Sequence, residues 1–208
     1  MLDPTEYGRG RAMTGKEHAL LVSSLELAHA CSAGLLYVEL GVDECRTAET
    51  VMMALAALGG KGKGYIGIDL LDVERRWRER IVPLFDGHTP TALLLRRNSW
   101  ELEGIDPAGT DGVAWCFVDA CHCYACVSKD IAAWAPRIAP GGMLVFHDSS
   151  LWQNLNPDVS HPTRNCRYGV LRAIMDSEKY LEPFTLHSIV HGSTLTRNSG
   201  LMVYQRGS

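Results

Sequence analysis

Five short apolar runs, separated by helix-like segments, constrain the fold of this chain more than any other feature of its sequence. They are residues 35–40, 65–69, 91–95, 113–118 and 143–147. Apolar runs of this length are typical of strands that are buried on both faces of a parallel sheet. Because strands and helices alternate, we predict a parallel sheet with right-handed crossover connections.

The segments between these runs carry apolar residues at helical spacing. The predicted helices are 14–31, 46–58, 73–85 and 124–138. The Pro-Gly-Gly sequence at 140–142 is predicted to stop the last of them before the fifth strand. A further helix is predicted near 168–180.

The C-terminal part departs from this alternation, because two β-like runs, 184–190 and 200–205, follow one another. Two late strands joined by a loop fit an antiparallel hairpin. The predicted fold class is therefore α/β. It is a Rossmann-like, doubly wound, mostly parallel seven-stranded sheet, with a C-terminal antiparallel hairpin and helices on both faces.

The length of 208 residues suits one hydrophobic core. We predict a single domain over 1–208, with an N-terminal helical cap over 1–33 and a lid loop over 149–168. A net charge of −4 predicts no nucleic acid partner and no anionic membrane partner. No apolar run approaches the roughly 20 residues of a membrane span. The polar, acidic start of the chain is unlike a signal peptide, so we expect a cytoplasmic protein with mostly free thiols.

Polar or glycine residues follow the predicted strands at the edge where open α/β sheets bind their ligands. The five runs are followed by Gly41, Asp69, Asn98-Ser99, Asp119 and Asp148. A single acidic residue at a strand end is often a helix cap or a turn former. Several such endings in register predict a shared ligand site.

Four segments in order carry a resemblance to a known family. They are Val38-Glu39-Leu40-Gly41, Gly67-Ile68-Asp69, the Phe-Val-Asp-Ala-Cys-His-Cys-Tyr sequence at 117–124 and the Ala-Pro-Gly-Gly-Met-Leu-Val-Phe-His-Asp sequence at 139–148. Together they resemble the signatures of class I S-adenosylmethionine-dependent methyltransferases. The subgroup is similar to the catechol and macrolide-sugar O-methyltransferases and includes proteins called cephalosporin hydroxylases. The resemblance runs from about residue 35 to the end.

The resemblance implies a site for S-adenosylmethionine. The loop from Glu39 to Thr47 is expected to cradle the methionine part, and Gly41 allows a close approach of the backbone. Asp69 is expected to accept hydrogen bonds from the ribose hydroxyls. Its alternative role is to cap the helix predicted over 73–85.

The resemblance also places Ser99, Trp100 and Asp119 around the cofactor. Ser99 and Trp100 are expected near the adenine, although a tryptophan at this point is also common as plain packing. One departure concerns Cys45, which stands where the family usually has a second glycine. A cysteine predicts against a positive φ there, and hence predicts a reshaped loop or weaker cofactor binding.

The expected reaction is methylation of a hydroxyl on a small molecule. The resemblance leaves open a Mg²⁺ ion held by Asp119, Asp148 and Ser149, of which serine is the poorest ligand. His122 is the expected general base, titrating near neutrality, and Asp119 assists it. A solvated or helix-capping histidine is the alternative. His147 directly precedes Asp148 and is expected to orient the metal ligands without binding the ion itself, the alternative being a ligand of a softer metal.

Further interpretations stay open. Cys121, Cys123 and Cys126 invite a zinc site, but no second cysteine pair follows at finger-like spacing, which favours ordinary thiols. The chain could also be a cofactor-binding family member without turnover, or a cephalosporin hydroxylase-like protein, for which we see no iron-binding triad. A homo-oligomer is compatible with the sequence.

Overall fold

The computed structural model describes residues 13–32, 34–59, 63–84, 91–105, 112–150, 169–190 and 200–208. The strands within these ranges are β1 (Leu36–Leu40), β2 (Gly64–Asp69), β3 (Thr91–Arg96), β4 (Val113–Val118), β5 (Ile138–His147), β6 (Phe184–Val190) and β7 (Leu201–Arg206). The α-helices are α1 (Gly15–Cys31), α2 (Arg46–Ala57), α3 (Glu74–Arg80), α4 (Tyr124–Trp134), α5 (Val170–Asp176) and α6 (Glu178–Leu181).

The strands form one seven-stranded sheet in the order β3-β2-β1-β4-β5-β7-β6. The first five pair in parallel, whereas β7 is antiparallel to both β5 and β6. The predicted Rossmann-like α/β fold with a C-terminal antiparallel hairpin is confirmed. The last strand inserts between β5 and β6, so β6 forms the edge of the sheet on that side.

The central strands are buried on both faces, as the continuous apolar runs predict. On one face, Tyr37 and Trp115 pack with the apolar sides of α1, α2 and α3. On the other face, Val38 and Cys116 pack with α4 and α5. Helices therefore cover both faces, and the strand ends that meet at the edge are held between two packed layers.

One boundary prediction is wrong. The α-helix predicted over 124–138 ends at Trp134, because Pro136 lies in a 3₁₀ turn, and β5 already begins at Ile138. The Pro-Gly-Gly sequence is therefore inside the strand and does not stop the helix. Gly141 has a φ of +76°, and a Cβ there would lie 2.2 Å from the carbonyl oxygen of Cys31. Glycine thus allows β5 to pass the end of α1.

The N-terminal cap is helical from Gly15, after a capping box formed by Thr14 and Glu17. Glu17 also accepts a hydrogen bond from the Gly200 amide, at 2.7 Å, which ties α1 to the start of β7. Residues 1–12 and 33 of the predicted cap, and residues 151–168 of the predicted lid, lie outside the described residues. Within the described residues, no helix has the length and apolar character needed to cross a bilayer.

Candidate active site

Backbone hydrogen bonds hold the ends of neighbouring strands level at one edge of the sheet. The Gly41 amide donates to Ile68, the Asp119 amide to Leu40 and the Arg97 amide to Asp69, at 2.8, 2.8 and 2.9 Å respectively. Residues that follow β1, β2, β3 and β4 consequently lie side by side. The sequence prediction of a shared edge is in this respect confirmed, although the ligand that it serves stays a prediction.

Gly41 is required by the neighbouring strand. Its φ is +92°, and a Cβ at this position would lie 2.4 Å from the carbonyl oxygen of Asp119 and 2.6 Å from the Cα of Ala120. A side chain would therefore push the β1 and β4 loops apart. The close approach to the cofactor, which we predicted for this glycine, would be a second reason for the absence of a side chain at this position.

Cys45 has a left-handed backbone, with φ 58° and ψ 18°. The prediction against a positive φ is therefore wrong, and the loop keeps the geometry that glycine usually supplies. Two contacts hold it: the Cys45 amide donates to Val42 at 2.8 Å, and its carbonyl accepts from Glu49 at 3.0 Å at the start of α2. The side chain is fully buried, and burial raises the pKa of the Cys45 thiol to about 12.

Asp69 binds the loop that follows β1. Its Oδ2 accepts hydrogen bonds from the amides of Val42 and Asp43, at 2.8 and 3.0 Å, and its Oδ1 accepts from the amide of Leu71 at 2.8 Å. The residue before α3 is Val73, which makes no side-chain cap, so the helix-cap alternative for Asp69 is wrong. A carboxylate has about four acceptor positions, which leaves roughly one on Oδ1 for another donor.

Glu39 is a buried acid on β1, and its Oε2 accepts a hydrogen bond from the Tyr65 hydroxyl. Burial raises the pKa of the Glu39 carboxyl well above its ordinary value, and the charges of Asp119 and Asp69 add to the shift. Burial and the neighbouring charges therefore both favour the protonated form of this side chain. Thr47, the other residue predicted for this loop, lies half-buried in the first turn of α2.

Ser99 connects the end of β3 to α4. Its Oγ donates to Asp130 Oδ1 at 2.6 Å, and its carbonyl accepts from the Trp134 indole at 2.7 Å. Burial raises the pKa of Asp130 to about 7. The sequence reasoning missed Asp130, although its spacing of three from Val127 put a charged residue on the apolar face of the helix.

Trp100 follows Ser99 and is half-buried. The Nζ of Lys129 lies 4.5 Å from the centre of its ring, at a distance typical of a cation–π contact. The ring therefore already has a partner on α4, which agrees with the packing alternative. Its predicted contact with adenine stays a prediction.

The ends of β4 and β5 bring two histidines and two aspartates together. His122 Nε2 lies 3.2 Å from Asp119 Oδ1, and His122 Nδ1 lies 2.8 Å from Asp148 Oδ2. His147 Nδ1 lies 2.8 Å from the same Oδ1 of Asp119. We call these four residues the Asp-His cluster. Asp148 has a φ of 53°, a strained value for a residue with a side chain.

Charge pairing outweighs burial in this cluster. Burial alone would lower the pKa of each histidine, but the Asp148 carboxylate raises the pKa of His122 well above 6.5, and Asp119 raises that of His147 to about 9. Burial would raise the pKa of Asp119, yet the charge of His147 and hydrogen bonds from both imidazoles hold it below its ordinary value. The prediction that His122 titrates near neutrality is therefore wrong for this geometry.

Ser149 is buried beside the cluster, and its Oγ has no hydrogen-bond partner among the described residues. Ligand atoms of Asp119, His122 and Asp148 all lie within 4.8 Å of one another. The sequence had placed His122 outside the metal set, but the structure brings its ring between the two carboxylates. Any cation at this point would meet the imidazole as well as the oxygens.

The thiols of Cys121, Cys123 and Cys126 lie on the turn that carries His122. Their Sγ atoms are within 4.8 Å of one another, and the first two are 3.5 Å apart. The described cysteines form no disulfide with each other. The sequence spacing had indicated ordinary thiols, and only the fold brings the three sulfurs to one point.

Solved methyltransferases share this fold. An O-methyltransferase involved in tomaymycin synthesis in Streptomyces achromogenes, TomG, in complex with S-adenosylmethionine, has a TM-score of 0.69 at 15% identity over 96% of this chain and 83% of its own. An O-methyltransferase from Bacillus cereus, in complex with S-adenosylhomocysteine, has a TM-score of 0.65 at 9% identity, over 97% of this chain and 85% of its own. An rRNA methylase from Streptococcus thermophilus has a TM-score of 0.60 at 13% identity, over 95% of this chain and 100% of its own.

No curated protein sequence matches the chain. These solved structures include O-methyltransferases and an rRNA methylase, so likeness at these identities shows the fold and leaves the acceptor open. The family model described as a methyltransferase domain matches residues 38–149, which contain the level strand ends, the Asp69 loop and the Asp-His cluster. This chain therefore belongs to the methyltransferase domain family.

Proposed function

We propose that this protein transfers the methyl group of S-adenosylmethionine to a hydroxyl oxygen of a small molecule. The hydroxyl oxygen forms a bond to the methyl carbon while the bond from that carbon to the sulfonium sulfur breaks. The products are a methyl ether and S-adenosylhomocysteine, and the hydroxyl proton leaves with a base. The protein mainly aligns the two reactants and accepts the proton.

The observation that carries the proposal is the position of His122 between Asp119 and Asp148. The two carboxylates hold the imidazole from both sides, at the edge where the strands of this fold end. A base in that position has a fixed ring orientation and a strong affinity for a proton. Asp119 also binds His147, so it orients both imidazoles at once.

The raised pKa of His122 sets the pH at which this base works. Below its pKa the imidazole is protonated and cannot accept the hydroxyl proton. Because the Asp148 carboxylate raises that pKa well above 6.5, the active form appears only as the pH rises toward the alkaline range. We therefore expect activity to increase with pH above neutrality, later than an ordinary histidine would allow.

The cofactor is proposed to lie over the ends of β1 and β2. Asp69 keeps about one acceptor position on Oδ1 for a ribose hydroxyl, after binding the loop amides. Glu39, Gly41 and Thr47 are proposed on the methionine side. Ser99 and Trp100 are proposed near the adenine, with Asp119 at the junction with the acceptor.

The donor set also fits a divalent cation. Asp119 and Asp148 supply carboxylate oxygens, and the buried Ser149 hydroxyl has no other partner among the described residues. A bound Mg²⁺ would lower the pKa of an acceptor hydroxyl. Because His122 binds both carboxylates, an imidazolium and a cation compete for the same oxygens, and metal affinity should increase with pH.

The test begins with calorimetry of the whole chain against S-adenosylmethionine and S-adenosylhomocysteine. Formation of S-adenosylhomocysteine is then measured with a catechol and with a hydroxylated nucleotide sugar, from pH 6 to pH 10, with and without Mg²⁺. We expect binding, and turnover that increases with pH. His122→Asn should abolish turnover, whereas His187→Asn, on the exposed β6, should not.

The outcomes separate the alternatives. Absence of S-adenosylmethionine binding would overturn the proposal altogether. Binding without turnover toward either acceptor, at every pH and with Mg²⁺, would favour the cofactor-binding protein without activity. Turnover that survives His122→Asn would remove the histidine as the base.

A further inference from the structure

The thiol cluster, formed by Cys121, Cys123 and Cys126, lies outside the reaction described above. Its three Sγ atoms are within 4.8 Å of one another, and those of Cys121 and Cys123 are 3.5 Å apart. Neither the proposed cofactor site nor the Asp-His cluster uses these sulfurs. The cluster therefore needs its own account, which does not depend on the proposed function.

The local backbone explains how the sulfurs meet. Cys121 and Cys123 are two residues apart on the turn after β4, and their side chains meet there, with the Sγ atoms 3.5 Å apart. Cys123 has extended φ and ψ of −82° and 149° and is the N-cap residue of α4, and Cys126 is in the first turn of that helix. The first turn of the helix lies over the cap residue, so it brings the third sulfur back to the first two.

Helix capping does not explain the cysteine at this position. Residues preferred as N-caps offer an oxygen to the first amides of the helix, and the side chain of Cys123 makes no such hydrogen bond. Packing explains it only in part, since Cys121 is buried whereas Cys123 and Cys126 are half-buried. Two of the three residues are thus partly exposed to solvent.

The spacing suits a metal ion. A Zn–S bond is about 2.3 Å long, so sulfurs around a tetrahedral zinc are separated by about 3.8 Å. The 3.5 Å between the Sγ atoms of Cys121 and Cys123 and the limit of 4.8 Å for all three sulfurs bracket that value. Small rotations about the Cα–Cβ bonds would complete the geometry. Three thiolates are soft ligands, which select Zn²⁺ or Cu⁺ over hard cations such as Mg²⁺.

We propose that the thiol cluster binds one thiophilic d¹⁰ metal ion, Zn²⁺ or Cu⁺, through the three cysteine thiolates. Each thiol releases its proton to solvent on binding, so three protons leave per ion. Zinc takes a water or a small ligand at the fourth position, whereas Cu⁺ can be three-coordinate with the sulfurs alone. The ion lies beside the turn that carries His122 and fixes the start of α4.

Binding is measured on the full chain, reduced with a phosphine and kept free of oxygen. The protein is dialysed against Zn²⁺ and, separately, against Cu⁺, and bound metal is counted per chain by atomic emission. Co²⁺ replaces Zn²⁺ in a third sample, because thiolate ligands give it an intense charge-transfer absorption. We expect one ion per chain, that absorption, and a higher melting temperature for the Zn²⁺ form.

The decisive variant is Cys123→Ser/Cys126→Ser. We expect its Zn²⁺ affinity to fall at least 100-fold and the Co²⁺ absorption to disappear. Cys31→Ser, which changes an exposed cysteine on α1, is the matched control and should behave as the parent. Circular dichroism confirms that each variant is folded, and Cys126→Ala alone serves if the double variant is not.

Retention of the ion by the double variant, or a bound Co²⁺ without thiolate absorption, would place the metal elsewhere and overturn the proposal. Failure of both Zn²⁺ and Cu⁺ to bind would overturn it as well. Binding of only one of the two supports it and identifies the ion. Excess Mg²⁺ should not displace either ion, because the Asp-His cluster offers the harder ligands.

Discussion

Two acids at neighbouring strand ends have pKa values that are shifted in opposite directions. Glu39, on β1, faces the Tyr65 hydroxyl, and burial raises its pKa well above the ordinary value. Asp119, just after β4, faces His122 and His147, which lower its pKa in spite of burial. The partner supplied by the fold decides in which direction the pKa of such an acid shifts.

The same contrast divides the edge into two halves. On the β1–β2 side, Asp69 accepts hydrogen bonds from backbone amides and so positions the loop after β1, and Glu39 accepts one from the Tyr65 hydroxyl. On the β4–β5 side, Asp119 and Asp148 bind imidazoles, which can gain and lose protons. We infer that the first half is suited to holding a cofactor and the second half to proton transfer.

The largest expected effect comes from exchanging each acid for its amide. Asp119→Asn replaces a charged acceptor shared by two imidazoles, and we expect a loss of turnover of at least about 100-fold. Glu39→Gln replaces an acid whose protonated form is already favoured by burial, so we expect a loss of turnover well below that of Asp119→Asn and no loss of stability. Initial rates and urea unfolding at pH 7 measure both. Equal losses for the two variants would contradict the contrast.

A second test follows stability against pH. Because the pKa of His147 is raised to about 9 in the folded chain, its pairing with Asp119 stabilises the protein fully below pH 6.5 and is lost as the pH rises through about 9. The shift corresponds to stabilisation on the order of 3 kcal/mol. His147→Asn should flatten the decrease in unfolding free energy between pH 6.5 and 9.5, as urea titrations would show.

His29→Asn is the control for that measurement, because His29 belongs to α1 and lies outside the Asp-His cluster. If the parent and the His147→Asn variant lose the same free energy over this range, His147 is neutral in the folded protein. The pairing with Asp119 would then be an ordinary hydrogen bond.

A third test concerns Asp69. Asp69→Ala removes an acceptor for the proposed ribose contact and for two loop amides, so we expect S-adenosylmethionine binding to weaken by roughly 1–3 kcal/mol. Calorimetry measures the change. Asp72→Asn, three residues further on and exposed, is the matched control and should leave affinity unchanged. Unchanged affinity in a folded Asp69→Ala variant would remove Asp69 from the site.

The smallest expected effect concerns Cys45. The strain at its positive φ exists before any cofactor binds, so it should appear in stability and should largely cancel in affinity. Cys45→Gly relieves the strain and Cys45→Ala keeps it, while both lose the buried sulfur. We expect the glycine variant to be more stable than the alanine variant by about 1 kcal/mol, with Kd values within about twofold. Chemical denaturation and calorimetry check the two parts.

A clear tightening of cofactor binding by Cys45→Gly alone would show that the strain increases when the cofactor binds. The loop that contains Cys45 would then change its conformation on binding, in contrast to the Asp-His cluster, whose side chains are already in contact.

The sequence by itself determined the strand order along the chain, the hairpin and the edge at which the polar residues gather. Short apolar runs can be buried only in a covered sheet, and their ends must then meet at one edge. It also indicated Asp119, His122 and Asp148 as neighbours, because each follows a predicted central strand. These patterns are local and repeat along the chain, so they can be recognised from the sequence alone.

Only the tertiary structure decided which groups touch and in which direction their pKa values shift. The Tyr65 partner of Glu39 comes from 26 positions away, the Asp130 partner of Ser99 from 31 and the His147 partner of Asp119 from 28. Spacing along the chain carries no information on such contacts. The same holds for the backbone of Cys45, where a hydrogen bond to the Val42 carbonyl and one from the Glu49 amide overcame an intrinsic preference of about 1–2 kcal/mol against the left-handed region.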